Sequence, residues 1–236
     1  MSDLDALRDF WGEEFENWKT RGSKEGYGAA LVSLRLRAKI ADGADVLEIG
    51  SGDGRWLELF ARSGARPYGI DILPKAAGSA SLRGFPVCVG DARDLPFPDN
   101  HFDLTCSFGV FEHFEGTERA ISEQTRVTKP GGRGIIALPH LHSPYTLVMA
   151  LWHIFGGTWR WRPASYGKRF RKREVLQLLE ASPCQVVQIE PFHVGAICEL
   201  RPFRPLKRLL LERVESNSLL RRLLGMMLWI EFVKTP

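Results

Sequence analysis

The sequence predicts a doubly wound α/β sheet, and three observations predict it. Five short apolar runs, Asp45–Ile49, Pro67–Ile72, Pro86–Gly90, Phe102–Phe108 and Gly134–Leu138, follow one another through the middle of the chain, each closed by Gly, Asp or Pro. Runs of that kind are the pattern of parallel strands buried on both faces. Segments of helical periodicity, notably Arg55–Ser63 and Thr117–Thr128, lie between most of them, as crossover connections between parallel strands require. The first run also ends in a glycine-rich turn, Gly50 to Gly54, that leads straight into a helix.

The flanking elements follow from the same periodicities. Residues 3–40 read as two helices: Phe10, Trp11, Phe15 and Trp18 recur at helical spacing, and a Gly-rich break (Arg21 to Gly28) precedes Leu31, Leu34 and Ile40. After Pro139 come an apolar helix over Thr146–Phe155, a basic and aromatic segment over Arg160–Arg173, a helix over Lys172–Ala181 and a late strand over Gln185–Ile189. Arg201–Met227 is amphipathic and basic, with Pro202 and Pro205 delaying any helix, and Leu228–Val233 is expected as a final edge strand. The chain divides accordingly into an N-terminal helical segment (1–43), a core (44–140) and a C-terminal part (141–236) that caps the core and completes the sheet.

Composition sets the bounds. A chain of 236 residues, 44% hydrophobic and 25% charged, suits one medium α/β domain with additions. The four cysteines (Cys88, Cys106, Cys184 and Cys198) form no C-x-x-C pair and are expected as reduced thiols. The start, Met1-Ser-Asp-Leu-Asp5, is acidic and resembles neither a secretory signal nor a transit peptide, and the longest apolar stretch, Thr146–Phe155, is too short to span a bilayer. These features predict a cytoplasmic protein. Charge is uneven: residues 1–140 hold 17 Lys/Arg against 21 Asp/Glu, and residues 141–236 hold 15 against 7. The basic C-terminal part is therefore expected to meet something anionic, such as phosphate groups or a membrane surface.

The turn after the first strand carries the chemistry. In Val46-Leu-Glu-Ile-Gly-Ser-Gly-Asp-Gly-Arg-Trp56 the glycines are spaced G-x-G-x-G, not G-x-G-x-x-G, and Glu48 precedes them. Glycine is needed there because the chain turns sharply and its backbone must approach a ligand without an intervening Cβ. Asp71 ends the second strand about 20 residues on, where a carboxylate can accept both hydroxyls of a ribose. Asp91 ends the third strand, where a carboxylate can accept the exocyclic amine of adenine. Three successive strand ends thus carry what an adenosine ligand wants.

With these residues in view, positions 44–139 resemble a class I S-adenosylmethionine (SAM)-dependent methyltransferase of the type 11, small-molecule branch. The matching blocks are Val46–Gly54, Gly69–Ile72, Gly90–Phe97, Phe102–Phe114 and Arg126–Gly132. The resemblance implies a Rossmann-like core and SAM as cofactor, released as S-adenosylhomocysteine. It places Glu48, Gly50, Ser51 and Gly52 around the methionine and ribose portions, Asp71 on the ribose and Ile72 against adenine. It puts Asp91 and Ala92 at the adenine edge, Ser107, Phe108 and Gly109 near the sulfonium, and Lys129–Gly132 in a structural turn before the fifth strand. Arg55-Trp56 is bulkier than the small residues often found after the third glycine; Trp56 is expected to begin the helix and pack inward.

SAM carries an activated methyl group, so the protein must chiefly align a nucleophile and, for many acceptors, supply a base. Candidate catalytic residues are His113, which follows the strand nearest the methyl donor, together with His140 and Tyr145. Glu112 is expected to order the loop, and His142 is a lesser candidate. No metal site is expected, because Pro139-His-Leu-His142 lacks a third ligand.

The acceptor is expected to be a small molecule, a lipid-linked compound or a glycan. The segment Ser107-Phe-Gly-Val110 lacks the Asp/Asn-Pro-Pro-Tyr/Phe motif of amino-group methylating DNA and protein-glutamine enzymes. Arg160–Arg173 mixes seven cations with Trp161, Tyr166 and Phe170, able to grip phosphate, stack on a base or rest on anionic lipid. Tyr145, Trp152, Trp159, Trp161 and Tyr166 are candidate walls of the acceptor pocket. Two alternatives stay open: a SAM-binding protein without transfer activity, and an RNA methyltransferase that uses the basic segment.

Overall fold

A computed structural model describes residues 39–143, 167–192 and 217–236, together with residues 8, 12, 36 and 146. The elements are β1 (Asp45–Ile49), α1 (Arg55–Arg62), β2 (Arg66–Asp71), α2 (Pro74–Leu82), β3 (Val87–Val89), β4 (Phe102–Phe108), α3 (Thr117–Val127), β5 (Thr128–Pro139), α4 (Lys172–Glu180), β6 (Cys184–Phe192), α5 (Ser218–Leu224) and β7 (Met227–Lys234). Arg8, Gly12, Leu36 and Thr146 are helical. The rest of the expected N-terminal helices and of Thr146–Phe155, half of Arg160–Arg173 (160–166) and most of Arg201–Met227 lie outside the described residues. So do Tyr145 and the other candidate pocket walls.

One seven-stranded sheet runs in the order β3-β2-β1-β4-β5-β7-β6. The first five strands are mutually parallel, and β7 is antiparallel to both of its neighbours. Successive residues of a strand point to opposite faces, so the buried strands feed two cores. Leu47, Ile49, Ile70, Ile136 and Ile230 meet on one face, while Val46, Leu104, Ile135 and Trp229 pack with Leu57 and Phe60 of α1 on the other.

Two expectations are corrected. Leu228–Val233 is not an edge strand: β7 sits between β5 and β6, and Leu228 through Phe232 are all completely buried. An edge strand with one wet face alternates, whereas this run is continuous, the mark of burial on both sides. The edge is β6, where Val187 is 56% exposed. Second, Lys129–Gly132 is not a turn before the fifth strand but lies within β5. Pairing steps from Phe102↔Thr128 to Leu104↔Arg133, so the four residues bulge out of the ladder, with Gly131 at φ 75. The parallel register brings the C-terminal ends of β1, β2, β3 and β4 to one edge of the sheet, where open α/β sheets bind ligands.

Candidate functional site

A cavity of about 440 Å³ opens at that edge, within the size range of small-ligand sites. The turn after β1 forms its floor. Gly50, Gly52 and Gly54 all have positive φ, which glycine adopts without steric cost. A Cβ on Gly50 would lie 2.3 Å from Val110 Cγ2, so a side chain there would collide with the loop after β4.

The hydrogen bonds of this turn decide what class of ligand it suits. The amides of Gly50 and Ser51 both donate to the Ile70 carbonyl (2.8 and 3.0 Å), and that of Gly54 donates to Ser51 (2.9 Å). The amide of Gly52 donates to Asp71 Oδ2 at 2.8 Å. A phosphate-binding loop turns such amides toward its ligand; here all four are satisfied within the protein.

Charge points the same way. Among the described residues lining the cavity, Glu48, Asp53, Asp71 and Asp91 are carboxylates and Arg55 is a cation. Glu48 is 2% exposed, and its Oε2 has no hydrogen-bond partner among the described residues. Burial, with Asp71 and Asp53 nearby, pushes its pKa well above the ordinary carboxylate value. A buried carboxylate oxygen left without a partner is costly, and a ligand ammonium or sulfonium would relieve it. Asp71 is shaped for a different task. Its Oδ1 accepts the Leu73 amide at 2.9 Å, so each oxygen holds one backbone N–H and keeps acceptor capacity. Burial raises its pKa, against the pull of those amides.

The structure brings most of the expected cofactor residues to this cavity: Glu48, Gly50, Ser51, Gly52, Asp71, Ile72, Asp91, Ala92, Phe108 and Gly109 line it, as does His113. Ser107 does not; it is fully buried in β4, one residue behind the wall, and its Oγ has no partner among the described residues. Nor does His140, because the parallel bridge to Phe170 and the antiparallel pairing toward Met226 hold it at the end of β5. Its Nδ1 faces the Gly225 carbonyl at 3.4 Å. The Asp91 carboxylate is already engaged by Arg93, whose Nη2 lies 2.9 Å from Oδ2.

Other lining residues were not singled out from sequence. Val110 and Phe114 close the side after β4, and Leu73 and Ala76 the side of α2. Trp56 is the second residue of α1 and packs on Phe108 with ring centroids 5.4 Å apart, yet it also lines the cavity. From the N-terminal segment, Arg8 Nε reaches the Ile72 carbonyl at 3.3 Å.

His113 and Glu112 are paired oppositely to their usual states. Burial depresses the His113 pKa to about 4 and lifts that of Glu112 to about 8. Both are therefore neutral near pH 7. His113 Nε2 lies 3.6 Å from Glu112 Oε1, beyond hydrogen-bond reach.

Comparison with known proteins points to one family. Residues 47–136 match the family described as "Methyltransferase domain". Through this stretch the chain is similar to the class I, SAM-dependent methyltransferases. The chain is 40% identical to a demethylmenaquinone methyltransferase of Thermobifida fusca over 99 residues, 39% of this chain and 42% of that relative. The chain thus spans less than half the length of that relative. A SAM-dependent methyltransferase structure from Archaeoglobus fulgidus superposes with a TM-score of 0.65 at 25% identity, covering 92% of this chain and 97% of that one. A Haloferax volcanii putative methyltransferase, solved in complex with the Trm112 methyltransferase activator, superposes with a TM-score of 0.66 at 18% identity, covering 100% and 99%. The latter is a likeness of fold.

SAM is the cofactor of this family, and the residues present fit it. The cavity offers a buried Glu48 carboxyl with one unpartnered oxygen among the described residues, and the Cβ position of Gly52 meets nothing within 4 Å. The turn's amides make no demand for phosphate. A cationic adenosyl ligand meets each of these conditions.

Proposed function

We propose that this protein transfers a methyl group from SAM to a small, apolar or lipid-linked acceptor with an acidic proton. The observation that carries this reading is the cavity at the strand ends, with its satisfied glycine turn and its excess of carboxylates. Glu48 and the Gly50–Gly52 turn would hold the methionine and ribose portions, Asp71 the ribose hydroxyls, and Ile72, Asp91 and Ala92 the adenine. SAM supplies the activated methyl group when bound.

His113 is the group proposed to take the acceptor's proton. A base with a pKa near 4 is weak, and proton transfer is efficient only when acceptor and base are reasonably matched. His113 therefore suits a phenol or a hydroquinone better than an aliphatic alcohol. The Thermobifida fusca relative, whose name makes it a demethylmenaquinone methyltransferase, supports the same class.

The basic edge supports a lipid-linked acceptor. Lys168, Arg171, Lys172 and Arg173 are exposed, and Phe170 anchors their segment beside His140. Across the end of β5, Leu219 and Leu223 are 62% and 57% exposed on α5. Exposed cations and exposed leucines on two segments that both adjoin His140 suit an anionic membrane surface, which makes the protein a peripheral one in this reading.

The test combines calorimetric titration of SAM and S-adenosylhomocysteine with lipid and aqueous extracts incubated with methyl-labelled SAM. Saturable binding of both ligands and a labelled product in the lipid fraction are expected, with turnover reduced in His113→Ala at unchanged SAM affinity. Binding without any labelled product would make the protein a SAM-binding partner, label in RNA would move the acceptor to nucleic acid, and no binding at millimolar ligand would overturn the reading.

A further inference from the structure

Arg93 stands behind the adenine end of the cavity and touches both loops that build it. From the loop after β3 its backbone amide donates to Asp91 Oδ1 at 2.8 Å. Its Nε lies 3.1 Å from each carboxylate oxygen, and its Nη2 lies 2.9 Å from Oδ2. The fork then crosses to the loop after β4, where Nη1 donates to the Glu115 carbonyl at 3.1 Å and the guanidinium carbon sits 5.1 Å from the Phe114 ring centroid. The fit is close, since a Cβ on Gly116 would lie 3.4 Å from Arg93 Cδ. Both partners of the ion pair are largely withdrawn from water, at 17% and 19% side-chain exposure.

An ionised carboxylate offers about four acceptor positions. Three N–H donors of Arg93 engage that of Asp91, the amide on Oδ1, Nη2 on Oδ2 and Nε shared evenly between the two, so little acceptor capacity is left and its direction is set by Arg93. We infer that Arg93 is a positioning residue for base recognition: it holds the Asp91 carboxylate in one orientation toward the adenine amine, and it clamps the Phe114–Glu115 wall to the same point. Asp91 behaves as the inference requires, because burial alone would raise its pKa and the Arg93 contacts outweigh burial and hold it below the ordinary value. A planar five-donor fork can brace two loops at once, whereas an ammonium is a point charge. The inference rests on the reading of Asp91 as the acceptor for the adenine amine.

The experiment compares S-adenosylhomocysteine with its inosine analogue, in which a carbonyl oxygen replaces the amine and would oppose the carboxylate. Calorimetry on the wild-type chain, Arg93→Lys and Arg93→Met gives the preference ratio, and amide hydrogen exchange reports on residues 109–116. Wild type is expected to favour the adenine ligand by at least about tenfold. Arg93→Met is expected to lose about fivefold or more of that ratio and to exchange faster over 109–116, with Arg93→Lys between the two. Should Arg93→Met fail to fold, Arg93→Lys carries the same comparison. A ratio and exchange pattern unchanged by substitution overturn the role of Arg93 while leaving the adenine reading intact. A wild-type chain that binds the adenine ligand without preferring it overturns the reading of Asp91 itself, and one that binds neither ligand overturns the cofactor reading.

Discussion

Asp71 performs two tasks with one carboxylate. By accepting the amides of Gly52 and Leu73 it ties the glycine turn to the end of β2, and with its remaining acceptor positions it faces the cavity. Removing the side chain should therefore lower both affinity and stability. Asp71→Ala is expected to weaken SAM binding by about 1–3 kcal/mol, the cost of losing hydrogen bonds to a charged group, and to lower the melting temperature because two backbone N–H groups lose their acceptor. Calorimetry and a thermal melt on the same sample separate the effects; full affinity in Asp71→Ala would remove Asp71 from the ligand. At this scale the sequence was informative wherever spacing dictates position. Asp71 could be placed because a residue about 20 positions after the glycines must close the neighbouring parallel strand. The Arg93–Asp91 brace could not, because it depends on how two loops distant in sequence approach each other. Of Ser107, Phe108 and Gly109, expected together near the sulfonium, the last two line the cavity while Ser107 is buried behind it, because alternation along a strand sends neighbours to opposite faces.

At the level of elements, β5 and β7 show which parts of the sheet could be read in advance. The five parallel strands were visible because buried runs and intervening helices repeat. The true edge was not, since β7 and β6 complete the sheet by an antiparallel return that the parallel rhythm does not foretell. One local sign was present: Gly134 pairs directly with Phe232 across the two strands. A Cβ on Gly134 would lie 1.9 Å from the Phe232 ring, so the glycine is the hollow that receives the aromatic ring, which is itself completely buried. Gly134→Ala is accordingly expected to destabilise the fold by about 1–3 kcal/mol, the usual range for overpacking a filled core. Phe232→Leu in the same chain should recover part of that loss, because the two sites share one contact. Urea denaturation of the two single variants and the double variant gives the coupling; additive effects would show that the ring does not rest on the glycine.

Over the whole molecule, the neutral Glu112–His113 pair makes stability depend on pH in a way that net charge does not. Glu112 is 5% exposed, its main-chain carbonyl holds the Lys168 amide at 2.7 Å, and the Cβ position of Gly167 lies 2.9 Å from its Cγ. The carboxyl is thus enclosed where residues 167–168 pack on the loop after β4. Its pKa is about 8 in the fold against an ordinary 4.5, so between these values the native state holds a proton that the unfolded chain has released. Stability from this group is full below pH 4.5 and declines as pH rises toward 8, by about 1.4 kcal/mol per pKa unit of separation. His113, at about 4 against an ordinary 6.5, contributes in the opposite sense: full above pH 6.5 and lost as pH falls toward 4. The two slopes overlap between pH 4.5 and 6.5 and partly cancel there, which leaves Glu112 as the member of the pair that erodes stability from pH 6.5 to 8. Glu112→Gln cannot ionise. Its unfolding free energy is expected to change less than that of wild type between those two pH values, so that the variant gains on wild type as the solution becomes alkaline. Chemical denaturation of both proteins at each pH measures the difference, and parallel pH profiles would mean that Glu112 keeps an ordinary pKa in the folded protein.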